Sequence, residues 1–298
     1  MTNESLPHRG YGLGYSQEEQ DRLRSQAARL RTLSRGFFLN AGIGTGMRVL
    51  ELGSGLGDLT GLIAEIIGPT GEIVSLDRSP VMLAQARNSL SEGGITCARF
   101  IECDLNNFCL DFDRAFDAVV GRLILTHLDD PVGTLRLILR HVRAGALVAF
   151  QEADSTLCEH LLSLHRDKLP LTYEVCEWIK RARNGASVDP EMGLHLYRVF
   201  TQAGLPAPTI SFHTEVYGGA CAPRIQSTVA MVRNLLPRLE NLGINAEAIG
   251  VSTLEDRLTS ELTAADVVQA RVSIASAWAI KDCPEAAIFR ESCTRAAD

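Results

Sequence analysis

The chain has 298 residues, of which 46% are hydrophobic and 22% are charged, so it can bury a large core and is not disordered. Its formal net charge of −7 argues against non-specific nucleic-acid binding and against a polybasic membrane patch. No apolar run is long enough to span a bilayer, and the polar start does not resemble a secretory signal. The eight cysteines include no CxxC pair, which is the common pattern of zinc and redox sites. We therefore expect a cytoplasmic protein without a bound metal and without a membrane or nucleic-acid partner.

The first predicted element is a helix. Ser16-Gln17-Glu18-Glu19 has the pattern of a capping box, and helix-forming residues follow it to about Arg35. A short turn, GIGTG, then separates this helix from the rest of the chain.

Strands and helices alternate from about residue 45 onward. Strands are predicted at 47–52, 72–77, 98–102, 116–121 and 145–151. Helices are predicted at 57–67, 80–92 and 131–142, and the last two begin with a capping residue followed by proline. The alternation predicts an α/β fold with a mainly parallel sheet and helices on both faces.

The alternation stops after Glu152. Residues 155–184 look helical with a break at Pro170, helix 191–203 and strand 209–216 resume the unit, and a second helical insertion covers about 224–263 before a last strand within 267–280. No linker or repeat is evident, so we expect a single domain. Its predicted parts are a core (about 45–152, 191–217 and 267–281), an N-terminal helical lid (1–44) and two helical insertions (153–190 and 218–265).

The most informative segment runs from Met47 to Leu83. It contains a strand, the glycine-rich turn Gly53-Ser54-Gly55-Leu56-Gly57, a helix, and a second strand that ends at Asp77. Glycines let a backbone approach a ligand closely, and an acid at the end of the second strand can accept both hydroxyls of a ribose. The segment therefore predicts a site for an adenosine-containing cofactor.

The spacing of the glycines distinguishes between cofactors. Dinucleotide-binding turns have the pattern G-x-G-x-x-G, whereas here the pattern is G-x-G-x-G with Glu51 before it. In this respect the chain resembles the class I S-adenosylmethionine-dependent methyltransferases, whose first motif is E/D-x-G-x-G-x-G. The resemblance implies a doubly wound, mainly parallel, seven-stranded Rossmann-like sheet with helical lid insertions, and S-adenosylmethionine as the methyl donor.

Further segments match this family in the expected order. Cys103-Asp104-Leu105 follows the third strand, Gly121-Arg122 ends the fourth, and Leu125–Pro131 matches the L-x-H-L-x-D-P segment of the small-molecule branch, typified by quinone-ring methyltransferases. The resemblance implies that Asp77 holds the ribose, Asp104 accepts from the adenine amino group, and Glu51 helps to hold the methionine part. The implied cofactor-binding residues are Glu51, Gly53, Ser54, Gly55, Gly57, Asp77, Arg78, Met82, Asp104, Leu105, Gly121 and Arg122.

Two residues are candidates for the general base. The acceptor should lie beyond the carboxyl ends of the strands, where His127 follows strand four and Glu152 ends strand five. An imidazole titrates near neutral pH and suits the deprotonation of a phenol, an amine or an activated carbon. Other roles for these two residues stay open. His127 can be a half-exposed histidine at the edge of a helix, and Glu152 can be a loop acid or can orient an N–H or O–H group by a hydrogen bond.

Aromatic residues outside the core are candidates for the substrate pocket. Tyr11 and Tyr15 lie in a glycine-rich stretch that suits a flap, and Tyr173 and Trp178 lie in the first insertion, where an aromatic can equally well belong to a core. An enclosed site predicts a small, cyclic or aromatic substrate, with secondary metabolism as the context. The alternatives are a quinone or lipid-type C-methyltransferase, a non-catalytic protein that binds the cofactor, and a nicotinamide oxidoreductase; the insertions also leave a homodimer interface open.

Overall fold

A computed structural model describes residues 17–183 and 189–282. In it the chain forms two compact units. The sheet unit contains residues 26–154 and 189–213 and the described residues from Ser273 on. The helical unit contains the described residues up to Ser25, those of 155–188, and residues 214–272.

The sheet unit is built around a seven-stranded sheet, as the sequence predicts. Its strands, in the spatial order β3-β2-β1-β4-β5-β9-β6, are β1 Arg48–Leu52, β2 Glu72–Asp77, β3 Ala98–Glu102, β4 Phe116–Arg122, β5 Val142–Asp154, β6 Thr209–His213 and β9 Ser273–Ile280. The first five strands are parallel, and β9 is antiparallel to both of its neighbours. The strand order reverses between β1 and β4, which is the point where ligands bind in sheets of this class.

Helices cover both faces of this sheet. They are α1 Gln17–Ala41 (from Gln26 on), α2 Asp58–Ile67, α3 Pro80–Glu92, α4 Pro131–Ile138 and α7 Met192–Ala203. All five residues of β1 are buried. Leu50 and Leu52 belong to an apolar layer with residues of α4 and α7, while Val49 belongs to a layer with residues of α1 and α2. This two-sided burial explains why apolar residues of β1 point to both faces of the sheet.

The helical unit has a core of its own. Its helices are α5 Thr156–Leu164, α6 Pro170–Arg183, α8 Ala222–Asn241, α9 Ala246–Ile249 and α10 Leu254–Ala265. Buried apolar residues of α6, α8 and α10 pack together, among them Val175, Trp178, Val232 and Leu258. The predicted break at Pro170 is confirmed, because α6 begins at that residue. None of the described helices has the length and apolarity needed to cross a membrane.

Several boundaries differ from the sequence-based ones. Helix α1 extends to Ala41 because Phe38 and Ala41 are buried in the apolar layer of the sheet unit. The predicted strand at 209–216 is in fact two strands, β6 and β7 Val216–Gly218, and the last segment is likewise divided into β8 Val268–Ala270 and β9. Strands β7 and β8 pair with each other as a separate antiparallel sheet in the helical unit. The alternation of apolar and polar residues can predict a strand, but it does not show in which sheet that strand pairs.

Candidate cofactor site and active site

The glycine-rich turn between β1 and α2 has three glycines with positive φ, of which two are closely packed and one is not. Gly53 (φ +73°) has no room for a side chain, because a Cβ atom would lie 2.6 Å from Cδ1 of Ile124. Gly57 (φ +85°) is similarly close to Ala86, at 3.0 Å. A Cβ at Gly55 (φ +51°) would meet no atom of the described residues within 4 Å. Among these residues the backbone at Gly55 therefore faces open space, where a ligand can approach it.

The carboxylate of Asp77 ties this turn to the end of β2. Its Oδ2 accepts a hydrogen bond from the Gly55 amide at 2.8 Å, and its Oδ1 accepts one from the Ser79 amide at 2.9 Å. Each carboxylate oxygen can accept a further hydrogen bond. The half-buried Asp77 is thus fixed in place and still able to bind a pair of hydroxyls, with Arg78 next to it, also half-buried.

Glu51 is a buried carboxyl beneath the turn. Its Oε2 accepts hydrogen bonds from the hydroxyls of Thr60 and Ser75, both at 2.6 Å, whereas its Oε1 is buried and has no partner among the described residues. Burial raises the pKa of Glu51 to about 7, although the two hydroxyls and the charge of Arg122 oppose this shift. The Oγ of Ser54 is likewise buried and has no hydrogen-bond partner within the described part of the chain. Polar groups in this state generally await a ligand or water.

The residues assigned to the adenine lie at the ends of β2 and β3. Met82, in the first turn of α3, and Leu105 are buried and apolar. Asp104 caps the short 3₁₀ turn Leu105–Asn107, because its Oδ1 accepts from the Asn106 amide at 3.1 Å and its Oδ2 from Nδ2 of Asn107 at 2.9 Å. Its half-buried carboxylate keeps acceptor capacity for an amino group.

The end of β4 is closely packed. A Cβ at Gly121 would lie 2.6 Å from the ring of Phe150 and 2.8 Å from Cγ2 of Ile124. Leu123, two residues further on, has a positive φ of 58°, a conformation that is strained for a leucine. Position 121 therefore accommodates only a glycine, because Ile124 of this irregular loop packs directly against it.

Glu152 holds the same loop from β5. Its Oε1 accepts hydrogen bonds from the amides of Ile124 at 3.0 Å and Leu125 at 2.8 Å, while its Oε2 is buried without a partner among the described residues. Burial raises the pKa of Glu152 to about 7, although these amides favour the ionised form. The half-buried His127 ends the 3₁₀ turn Leu125–His127 that Glu152 anchors. Glu152 therefore connects β5 with the backbone that carries His127.

The sequence does not reveal a buried polar network that fixes α1 on the sheet. The Ser34 hydroxyl donates to Oε1 of Gln151 at 2.6 Å and accepts from Nη1 of Arg122 at 3.1 Å, and Nε2 of Gln151 donates to the Ser276 hydroxyl at 2.9 Å. Burial lowers the pKa of Arg122, and the charges of Asp58 and Glu51 oppose this shift. The side chain of Arg122 is thereby directed by α1 as well as by its own strand.

Asp189 and His195 were also missed in the sequence. Oδ2 of Asp189 lies 2.5 Å from Nδ1 of His195, and the carbonyl of Asp189 accepts from the Thr126 hydroxyl at 2.8 Å. The pair therefore lies beside the turn that carries His127. The one sequence signal was the pattern Asp189-Pro190, which resembles the capping pairs at α3 and α4; nothing in the sequence marked His195.

Of the four aromatic candidates, the two that the structure describes lie in the helical unit. Tyr11 and Tyr15 lie outside the described residues. Tyr173 is half-buried in the helical unit, where the guanidinium of Arg166 lies 4.4 Å from its ring centroid. Trp178 is buried in the core of that unit. By contrast, the twelve candidate cofactor residues and both candidate bases all lie in the sheet unit. The described residues contain no cluster of three or more potential metal ligands.

Comparison with known proteins gives a family match over more than half of the chain. Residues 43–204 match a family model described as a methyltransferase domain. The chain is 32% identical over 113 residues to a ubiquinone/menaquinone biosynthesis C-methyltransferase of Idiomarina loihiensis, which covers 38% of this chain and 45% of the relative. The same enzyme of Ectopseudomonas mendocina is 36% identical over 109 residues, covering 35% and 41%. The chain thus spans less than half the length of these relatives.

A solved structure supports the fold. The YcgJ protein from Bacillus subtilis superimposes with a TM-score of 0.54 at 15% sequence identity, covering 86% of this chain and 99% of that one. At this identity the likeness concerns the fold alone.

Proposed function

The chain belongs to this family of methyltransferase domains, and from that premise we propose that it transfers a methyl group from S-adenosylmethionine to a small, cyclic or aromatic metabolite. The proposal rests on three features that occur together at the carboxyl ends of β1 and β2. Gly55 faces open space, Asp77 beside it has free acceptor capacity, and the buried Oε1 of Glu51 has no partner among the described residues.

The residues present fit the cofactor. Asp77 accepts the two ribose hydroxyls, and Glu51 accepts from the ammonium group of the methionine part, which satisfies its Oε1. Met82 and Leu105 provide apolar contact for the adenine, and Asp104 accepts from its amino group. When bound, the cofactor supplies an activated methyl group on a positively charged sulfur.

The chain's own groups align the acceptor and remove its proton. We assign the role of general base to His127, whose imidazole can accept a proton near neutral pH. Glu152 is the rival base; the two amide hydrogen bonds to its Oε1 instead support a role in positioning the loop that carries His127. Gly121 and Arg122 border the methyl group, and the closed packing around Gly121 keeps this edge rigid.

The finer features of the function are part of the same proposal. We keep the sequence-based assignments of segment 1–44 and the two insertions to a lid, and of Tyr11, Tyr15, Tyr173 and Trp178 to the acceptor pocket, as part of this proposal, although the burial of Trp178 in the core of the helical unit favours a core role for that residue. The enzyme is cytoplasmic, in keeping with the free thiols of all cysteines in the described ranges. It acts in secondary metabolism, and a homodimer is compatible with the apolar insertions.

The second candidate function is quinone C-methylation. It is favoured by the names of the relatives above and by the segment Leu125–Pro131. A protein that binds S-adenosylmethionine without transferring its methyl group is the third candidate.

Transfer of a labelled methyl group tests the proposal. The full chain is incubated with methyl-labelled S-adenosylmethionine and, in separate reactions, with the metabolite, protein and nucleic-acid fractions of a cell extract. We expect label in small organic compounds, and the carbon, nitrogen or oxygen that carries it separates the first two candidates. Label in protein or nucleic acid contradicts the small-molecule assignment. Binding of S-adenosylhomocysteine without any transfer contradicts catalysis and supports the third candidate.

A further inference from the structure

The small sheet of the helical unit brings together two polar side chains that lack partners. Tyr217 of β7 is directly opposite Gln269 of β8 in the antiparallel register, so their side chains project from the same face. Oη of Tyr217 and Nε2 of Gln269 are both buried and without a hydrogen-bond partner in the described parts of the chain. The residue Gln269 as a whole is only 4% exposed.

Arg224, in the first turn of α8, completes the group. Its guanidinium lies 5.2 Å from the ring centroid of Tyr217 and donates a hydrogen bond to Oε1 of Gln269. Since a guanidinium can only donate, this contact identifies the bonded amide atom as the oxygen. The Nε2 amino group of Gln269 is therefore the end that lacks a partner, and it is a donor.

All three groups present donors. Burial raises the pKa of Tyr217 to about 12, although Arg224 and Arg271 oppose the shift, so its phenol keeps a proton to donate. The neighbouring thiols of Cys158 and Cys176 are uncharged, because burial raises the pKa of each to about 11.

Two further charged groups near this cluster are held in ion pairs. Arg271 pairs with Glu215 at 2.8 Å, and Glu159 pairs with Lys180 at 3.0 Å. The guanidinium of Arg224 is thus the charge that faces Tyr217 and Gln269 without a carboxylate bound to it in the described residues.

We propose that Tyr217, Gln269 and Arg224 form a binding site for an oxygen acceptor, a carbonyl or a deprotonated hydroxyl, on an otherwise apolar small molecule. Two unpartnered donors beside a cation recognise such an oxygen, and the neutral thiols accommodate the apolar remainder. This inference goes beyond the proposed function, because it rests on residues of the helical unit alone. Binding at this site can be measured independently of methyl transfer.

The test uses 2-hydroxy-1,4-naphthoquinone, which has carbonyls and an acidic hydroxyl, as the probe. Its binding to the full chain is measured by calorimetry at neutral pH. We expect Tyr217→Phe and Gln269→Leu each to weaken binding on the order of tenfold or more, because each removes one hydrogen bond to an anionic oxygen. The matched control Tyr197→Phe, at an exposed tyrosine of α7, should leave the affinity unchanged. No binding to the wild-type chain, or unchanged binding in both variants, overturns the proposal.

The melting temperature distinguishes a binding site from an internal polar cluster that holds water. Removal of an unpartnered hydroxyl should leave the melting temperature of Tyr217→Phe unchanged or raise it. A lowered melting temperature with unchanged probe affinity contradicts the proposal and indicates a structural water. S-adenosylhomocysteine is titrated into the same proteins. If S-adenosylhomocysteine does not bind even the wild-type chain, the proposed function is contradicted. Binding of the naphthoquinone probe still tests this site separately.

Discussion

Glu51 and Glu152 are buried carboxyls on β1 and β5, and each uses one oxygen for hydrogen bonds while the other oxygen has no partner in the described ranges. Their pKa values are raised from 4.5 to about 7 by burial. Between these two values each of the two carboxyls binds more protons in the folded chain than in the unfolded chain. Their contribution to the free energy of unfolding therefore falls as the pH rises from about 4.5 to about 7.

Replacement of Glu152 by Gln should remove its share of this pH dependence. We expect Glu152→Gln to be more stable than wild type by on the order of 2 kcal/mol at about pH 8 and to lose this advantage at about pH 4.5. Urea unfolding at the two pH values measures the effect. Glu240→Gln, at an exposed glutamate of α8, serves as the control and should change stability at neither pH. An equal effect of Glu152→Gln at both values contradicts the assigned pKa.

The same variant separates the two roles of Glu152 in catalysis. Glutamine keeps an acceptor oxygen for the amides of Ile124 and Leu125, so a positioning residue should lose little kcat when it is replaced by Gln. A general base should lose roughly a hundredfold or more. We expect kcat to be nearly retained in Glu152→Gln and lost in His127→Gln. The reverse result identifies Glu152 as the base.

Gly55 offers a test of the cofactor contact at a single backbone position. Gly55→Ala and Gly243→Ala both place a side chain at positive φ with nothing within 4 Å, so each should cost about 1 to 2 kcal/mol of stability. Only the first intrudes into the space assigned to the cofactor. We expect Gly55→Ala to weaken S-adenosylhomocysteine binding at least about tenfold, as measured by calorimetry, with Gly243→Ala unaffected. Equal affinities would place the cofactor elsewhere.

At the scale of elements, α1 is held on the sheet through Ser34. Its hydroxyl joins Arg122 of β4 to Gln151 of β5, and all three groups are removed from most solvent. Loss of this hydroxyl leaves two polar groups without their partner in a region that water does not readily reach.

Ser34→Ala should therefore destabilise the protein by about 1 to 3 kcal/mol. Ser89→Ala, at an exposed serine within α3, provides the matched control and should have an effect near zero. Urea unfolding of both variants measures the difference. If Ser34→Ala is as stable as the control variant, the network does not hold α1.

Local patterns explain which elements were predictable. The glycine turn and Asp77 are recognisable from spacing along one chain segment, so the sequence predicted β1 and β2. Asp104 was assigned only through the resemblance to a family, and the binding role of these residues stays a prediction. The Ser34–Gln151 bond joins residues 117 positions apart, and no local pattern encodes it. For the same reason the sequence predicts one strand where the structure has β6 and β7. Both segments have a strand-like composition, and no local pattern shows that they pair in different sheets.

At the scale of the whole molecule, the sheet unit contains every residue assigned to the cofactor, and the helical unit has a separate apolar core. The family to which the chain belongs supports a methyltransferase, and the acidic net charge favours a small acceptor over nucleic acid. We expect the choice of acceptor to depend on residues outside the motif. Sequence patterns shared by all methyltransferases of this class do not specify them.

The central claim is that the edge of the sheet at Gly55 and Asp77 binds S-adenosylmethionine. Calorimetric titration of the full chain with S-adenosylhomocysteine, and separately with NADH, tests it most directly. We predict one site per chain for S-adenosylhomocysteine, weakened at least about a hundredfold in Asp77→Asn and unchanged in Asp111→Asn, at an exposed aspartate. Binding of NADH without binding of S-adenosylhomocysteine would contradict the account.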